Sequence, residues 1–251
     1  MFLHGILEGI MAGHIHPLTK VMARIERIFA DMGFQVAEGP ELETEYYNFD
    51  ALRVAKDHPS RDMQDTFWLT DAHRGPAGEP MLPRTHTSSV QIRFLESFVK
   101  KHGGNPPHGF KIVVPGKVFR NEATDATHEA EFFQVEGMML APKVSMADLK
   151  GTLERFYSEL FGAAAEVRFR PSYFPFTEPS VEIDVKWGER WLEVMGGGLI
   201  HPDIIRSAGL DPDQWQGFAF GGGIDRLAML IFGVNDIRDL YSGDLRLVQQ
   251  F

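Results

Sequence analysis

Between residues 217 and 230 an apolar run meets three consecutive glycines and then a helical pattern: Gly217-Phe218-Ala219-Phe220-Gly221-Gly222-Gly223-Ile224-Asp225-Arg226-Leu227-Ala228-Met229-Leu230. This segment constrains the chain more than any other. It predicts a strand over Phe218–Phe220, a turn at the glycines and a helix over Ile224–Phe232. Glycines at such a junction let a flat ligand lie against bare backbone, where a side chain would block the approach. An arginine in the first helical turn can project a planar cation over that ligand. The glycines do not have G-x-G-x-x-G spacing, because position 226 is arginine, so a dinucleotide fingerprint is excluded.

The other elements follow from periodicity and punctuation. Leu18, Val21, Met22, Ile25, Ile28, Phe29 and Met32 trace one face of a helix over Pro17–Met32. Pro17 suits its first turn and Gly33 its left-handed end. Strands are expected at Gln35–Ala37, Phe110–Val114, Lys117–Arg120 and Phe132–Leu140, with a tight turn at Pro115-Gly116. Helices fit Ser88–Lys101, a segment from the capping box at Ser145 to about Leu160, and a short piece after Pro202. Further strands are expected near Glu166–Arg170, Val181–Lys186 and Trp191–Val194. Strands joined by turns, with helices at intervals and no βαβ alternation, predict an α+β fold: an antiparallel sheet flanked by helices. Residues 1–12 are expected to form a tail or a short packed helix, and residues 13–251 a single domain.

Charge and composition remove several classes. The formal net charge is −10, so the whole molecule lacks the basic footprint of a nucleic-acid binder. Any contact with nucleic acid must use a local patch or a partner. There are no cysteines, which excludes disulfides, thiolate metal sites and cysteine nucleophiles. No run is long enough for a membrane span, and the start lacks the basic region of a signal peptide, so a cytoplasmic location is expected. The ten histidines show no H-E-x-x-H spacing.

Three elements occur in order: Gly39-Pro40-Glu41 after an amphipathic helix, Val118-Phe119-Arg120-Asn121-Glu122, and the glycine segment with Arg226. Together they resemble the three signature motifs of class II aminoacyl-tRNA synthetases. Thr85-His86-Thr87-Ser88, Asp125-Ala126-Thr127-His128, Gln134-Val135-Glu136-Gly137, Phe174-Pro175-Phe176-Thr177-Glu178-Pro179-Ser180 and Trp191-Leu192-Glu193-Val194 narrow the likeness. They resemble the alpha subunits of bacterial phenylalanyl-tRNA synthetases, from about residue 13 to the C-terminus. The resemblance implies activation of phenylalanine by ATP with Mg2+, followed by transfer to tRNA-Phe.

That reaction is attack of a carboxylate on the α-phosphate of ATP, which calls for two anions held in line and for neutralisation of growing charge. The resemblance makes Arg120 and Arg226 the catalytic cations. It implies that Glu122 meets the adenine amino group, His128 the terminal phosphates, and Phe132 and Arg226 the two faces of the ring. Phe133 must point to the opposite side of its strand. An amino-acid pocket needs polar groups for the ammonium and ring edges for an aromatic side chain. Gln134 and Glu136 share one strand face and supply the former, with His86 and Ser88 beside them. Phe174 and Phe176 would contact the substrate ring, and Ala219 and Gly221 would form the floor. Magnesium takes one or two carboxylates plus phosphate oxygens and water, and the resemblance places such a ligand at Glu178.

The chain departs from those alpha subunits at several points. They usually begin with a long helical coiled coil, whereas twelve residues precede Gly13 here. Glycine occupies position 197 and serine position 89, where cysteine or alanine and proline, respectively, are common. Two rivals remain at this stage. One is a related enzyme acting on another substrate, opposed by Ala219 and the two phenylalanines. The other is a non-catalytic binding module, opposed by the presence of both arginines. In such enzymes the helix and strand of the first motif meet a beta subunit. The helix and strand over roughly Pro17–Pro40, with the apolar N-terminal tail beside them, are therefore expected to leave a patch that pairs two copies into a homodimer when the chain is alone.

Overall fold

The computed structural model describes residues 13–62 and 65–251. The expected helix or tail at residues 1–12 lies outside the described residues.

Helix α1 (Pro17–Asp31) opens with proline in its first turn, and the His16 ring accepts from the Leu18 amide at 3.2 Å. Gly33 ends it with φ of 81°. β1 (Gln35–Val36) follows, then a two-stranded ribbon of β2 (Leu42–Thr44) and β3 (Met81–Pro83), with the short α2 (Glu45–Asn48) between them. α3 (Ser88–Lys101) leads into β4 (Phe110–Phe119) and β5 (Glu131–Ala141). α4 (Met146–Phe161) starts at the predicted capping box, in which Ser145 and Asp148 bond reciprocally. Three long strands come next: β6 (Val167–Phe174), β7 (Thr177–Trp187) and β8 (Arg190–Ile200). The chain closes with α5 (Pro202–Ser207), β9 (Gln216–Gly223), α6 (Ile224–Phe232) and α7 (Leu245–Val248).

The main sheet has seven strands in the order β1-β4-β5-β9-β8-β7-β6. All its pairs are antiparallel except β1 with β4. The α+β expectation therefore holds, with one parallel pair added at an edge. Period-two alternation gives the sheet two different faces. Val113, Val135, Phe218 and Phe220 join α1, α4 and α6 in one apolar core. Ile112, Val114, Met138 and Ala219 face the other way, toward α3, α5 and the small ribbon.

Phe29 anchors the first core. It is fully buried, and its ring lies 4.8 Å from Phe156 and 5.3 Å from both Phe220 and Phe34. The apolar face of α1 is thus covered within the chain: Leu18, Val21, Ile25, Ile28 and Phe29 are all buried. That removes the helix part of the surface on which the homodimer expectation rested; the strand edge stays exposed at Val36, and the tail lies outside the described residues. The large apolar side chains left exposed in this region are Ile15 and Val36.

Two turns expected from the sequence are strand instead. Pro115-Gly116 does not break β4, which runs unbroken from Phe110 to Phe119 against β5. The Val113 carbonyl accepts from Ala37 on the β1 side. By alternation Pro115 also faces that side, where β1 has already ended, so its missing N–H leaves no ladder bond unmade. Gly116 is bare because the Arg84 guanidinium crosses over it. Likewise Gly221-Gly222-Gly223 complete β9 rather than turning it, with no positive φ among them. A Cβ on Gly222 would strike the Val194 carbonyl, and one on Gly221 would meet Glu136 Cγ at 2.5 Å. Close approach, not a turn, selects glycine at 221 and 222, whereas a Cβ on Gly223 would meet open space.

Truncating Phe29 to alanine should destabilise the fold by about 3–5 kcal/mol, the cost of emptying a filled aromatic site. Val36→Ala, at an exposed edge position, should stay within about 0.5 kcal/mol. Urea unfolding followed by circular dichroism distinguishes the two, and equal losses would show that this stack is not the anchor.

Candidate active site

On the α3 side of the sheet two adjoining cavities share Arg120, Gln134, Glu193, Gly196 and Gly221 in their walls. One, of about 270 Å³, is lined further by Glu122, His128, Phe132 and Arg226. The other, of about 400 Å³, is lined by His86, Ser88, Glu136, Phe174, Phe176 and Ala219. The structure therefore brings every predicted site residue except Glu178 to one of these two walls. Glu178 lies outside both. Its side chain is 73% exposed, and its carboxylate sits 3.1 Å from His201 Nε2.

Strand geometry explains the gathering. Phe218 and Phe220 enter the core, so Ala219 and Gly221 must face the cavity. On β5, Gln134 and Glu136 point to the site, while Val135 enters the core and Phe133 packs at its margin. Gly221 pairs with Glu136 on one side and with Gly196 on the other. Gly196 is bare for a specific reason: a Cβ there would lie 2.6 Å from the Phe174 ring. That ring rests on Gly196 and stacks on Phe176 at 5.8 Å and 12°. The result is a flat aromatic wall above a glycine floor.

Arg120 stands where the cavities meet. Its amide donates to Ala130 and its Nε to the Thr85 carbonyl at 3.3 Å, which fixes its direction. The guanidinium lies 5.1 Å from the Phe132 ring centre and 3.9 Å from Glu122. Burial pulls its pKa down and Glu122 and Glu136 pull it up, but a guanidinium stays charged at any working pH. Arg226 projects from the first turn of α6 and makes no hydrogen bond or ion pair among the described residues. Behind it, buried Asp225 accepts from the Phe133 amide at 2.7 Å and from the Tyr241 hydroxyl, tying α6 to β5. His128 sits in the loop between β4 and β5, its Nδ1 3.0 Å from Asp125, whose carboxyl is held well below the usual range by the Thr127 amide and by His128.

The second cavity is rich in acceptors. Glu136 is buried and accepts from the Thr87 amide at 3.0 Å and from the Ser88 hydroxyl at the start of α3. Burial pushes its pKa up to about 7 despite those bonds. His86 donates from Nε2 to the Asn48 carbonyl at 2.9 Å, which leaves Nδ1 as a lone-pair acceptor. Burial, aided by Arg120, lowers its pKa to about 4, so the ring is neutral. His86 Nδ1 and Gln134 Oε1 are both buried without a partner. The same wall holds one orphaned donor, Gln91 Nε2; the two orphaned acceptors and the carboxylate call for a compact donor, such as an ammonium.

Sequence reasoning gave no role to Glu193, Gly196, Gln91, Asn48 or Asp225. The available signals were the alternation of Glu193 with the apolar residues of its strand and the glycine run that follows. Asn48 offered none, since it reaches Thr85 only through the fold, at 3.0 Å. Among the described residues no cluster of three or more His, Asp or Glu side chains could cage a metal ion.

The family model for the class II core domain (F) of tRNA synthetases matches residues 5–251. The alpha subunit of phenylalanine–tRNA ligase from Geobacillus thermodenitrificans is 48% identical, the match covering 96% of this chain and 70% of that protein. The corresponding subunits of Shouchella clausii and Bacillus subtilis are 49% and 47% identical over the same shares.

Glu136 generates a stability prediction. Its pKa rises from 4.5 when unfolded to about 7 when folded, so its contribution to stability is complete below the first value and is lost as pH rises through the second. Glu136→Gln stays neutral throughout. The Tm of that variant relative to the parent should therefore climb between about pH 5 and pH 8. A difference that does not change with pH would mean that the carboxyl ionises freely in the fold.

Proposed function

The chain belongs to the class II tRNA synthetase core family, and on that premise we propose that it activates phenylalanine with ATP and passes it to tRNA-Phe. One observation carries the choice of substrate. A single cavity holds unpartnered acceptors and a buried carboxylate at one end, a stacked aromatic wall over bare glycine at the other, and Arg120 at the junction with the neighbouring cavity. An α-amino acid with a flat ring fits those groups: its ammonium takes His86, Ser88, Gln134 and Glu136, its carboxylate takes Arg120, and its ring takes Phe174 and Phe176.

The reaction follows from that placement. The amino-acid carboxylate oxygen attacks the α-phosphorus, a C–O–P anhydride forms, and the bond to the β-phosphate oxygen breaks to release pyrophosphate. Arg120 lies between the carboxylate and the phosphorus and offsets charge on both. Arg226 and Phe132 take the two faces of adenine, Glu122 takes its amino group, and His128 takes the terminal phosphates. In the second step a terminal ribose hydroxyl of the tRNA attacks the acyl carbon and AMP leaves.

Magnesium, when bound, supplies charge neutralisation on the phosphate oxygens. The lining residues suit an ion carried mainly by the nucleotide, because no caged site is built among the described residues. Glu193 lines both cavities and would contribute a carboxylate there. Glu178, turned toward His201, would serve only after moving.

The relatives are named as alpha subunits, so a distinct beta subunit is the proposed partner, meeting the exposed β1 edge. A homodimer through the same edge is proposed for the chain alone. No helix among the described residues is long and apolar enough to cross a membrane, and a cytoplasmic site of action is proposed.

Phenylalanine-dependent ATP–pyrophosphate exchange tests the reading. Phenylalanine should drive exchange better than tyrosine, and non-aromatic amino acids should fail; a preference for any of these would refute the assignment. Arg120→Ala and Arg226→Ala should each lower exchange by at least about a hundredfold, the scale of a lost preorganised cation.

Gly196→Ala should push the Phe174 ring into the pocket. We expect kcat/KM for phenylalanine to fall about tenfold or more, the scale of an overpacking cost of ~1–3 kcal/mol. Adding Phe174→Leu should recover part of that loss. No loss, or no recovery, would mean that the ring does not rest on this glycine.

A further inference from the structure

A third cavity, of about 760 Å³, lies at the opposite end of α3 from the active site. Fourteen helical residues separate the two ends by about 20 Å. Nothing in amino-acid activation uses this cleft, and its chemistry differs from that of the rest of the molecule. The chain carries a net charge of −10, yet the cleft wall contains Lys101, Lys111, His102 and His108 and no Asp or Glu.

The polar heads are available. Lys101 has no hydrogen bond or ion pair among the described residues. Lys111 has one long bond, 3.4 Å, to the Met32 carbonyl. His102 donates from Nδ1 to the Phe98 carbonyl at 2.8 Å, and His108 from Nδ1 to the Gly109 carbonyl at 2.9 Å. Both rings are thereby fixed in orientation, and each keeps an Nε2 without a partner among the described residues. Asp148 feels the charge of Lys111, but its carboxylate is already held by Ser145.

An aromatic wall completes the cleft. The Phe98 ring centre lies 5.0 Å from Phe110, 4.6 Å from His102 and 5.9 Å from His108. Ammonium groups without counter-charges select an anion, the two imidazole Nε2 lone pairs accept from hydroxyl or amino groups of a ligand, and half-buried rings select a flat group. The volume exceeds that of the amino-acid cavity, about 400 Å³, and leaves room for a base, a sugar and a phosphate together.

We propose that this cleft binds a nucleoside phosphate, with the phosphate at Lys101 and Lys111 and the base against Phe98 and Phe110. The same chemistry is offered by a free nucleotide and by a nucleotide of a bound RNA, and the test separates these sources.

Thiouridine monophosphate, alone and then incorporated into a tRNA transcript, is photocrosslinked to the full chain, and the adducts are mapped by mass spectrometry. Adducts within residues 94–111 are expected. They should fall roughly tenfold in Lys101→Ala/Lys111→Ala, as for the loss of one or two charge-assisted hydrogen bonds. That variant should keep its circular-dichroism spectrum and its pyrophosphate exchange. Crosslinking by the free nucleotide assigns a small-molecule site, and crosslinking by the transcript alone assigns an RNA contact. Adducts confined to the cavity of Arg120 and Arg226, adducts unaffected by the double variant, or no adducts with either probe would overturn the proposal. None of these outcomes depends on which amino acid the enzyme activates.

Discussion

Alternation along β5 and β9 is the constraint on which the rest of the structure depends. Each strand sends every second side chain into the core around Phe29; on the other face Gln134 and Glu136 of β5 and Ala219 and Gly221 of β9 line the cavity, while Met138 and Leu140 enter the second core. Phe218 and Phe220 place Ala219 and Gly221, and Val135 places Gln134 and Glu136. A one-residue slip of either strand would put phenylalanine in the cavity and a carboxylate in the core. The apolar core is therefore what holds the site in register, although it touches no ligand.

The polar side of the site follows a complementary rule. Thr87 and Ser88 hold Glu136 from the first turn of α3, while His86 and Gln134 keep acceptors that the protein leaves unmatched. Each unmatched atom costs stability in the empty protein. A ligand with matching donors removes that cost on binding, whereas one without them leaves it standing. Discrimination among ligands is then built into the folded state before any ligand arrives.

Much of this was legible in the sequence, for identifiable reasons. The helices over Pro17–Asp31 and Ser88–Lys101 have strong apolar periodicity and clear ends, and each lies within a residue of its expected bounds. Gln134 with Glu136 and Phe174 with Phe176 were legible as pairs sharing a strand face, whereas Glu122, His128, Phe132 and Arg226 followed from the resemblance. The errors share one cause. Pro115-Gly116 and Gly221-Gly222-Gly223 are local turn signals, but tertiary contacts decided their conformation: an open sheet edge for Pro115, the Arg84 guanidinium for Gly116, and neighbouring strands for the glycine run. Asn48 and Asp225 act through partners distant in sequence, which one chain without its fold cannot reveal. The part of the homodimer expectation that rested on the α1 face lost its support in the same way, because an amphipathic face does not say whether its cover comes from within the chain or from another molecule.

The short parallel pairing of β1 with β4 has a consequence of its own. Beyond Val113 the outer edge of β4 carries no strand: Pro115 stands there with no amide to offer, and Arg84 takes the Lys117 carbonyl and the Phe119 amide. An incoming strand could not continue a hydrogen-bonded ladder along that edge. This border is thereby guarded against open-ended addition of sheet to sheet, edge to edge. Any companion that settles on this side must recognise it by the shape and charge of its side chains, a closed form of recognition that ends with one partner.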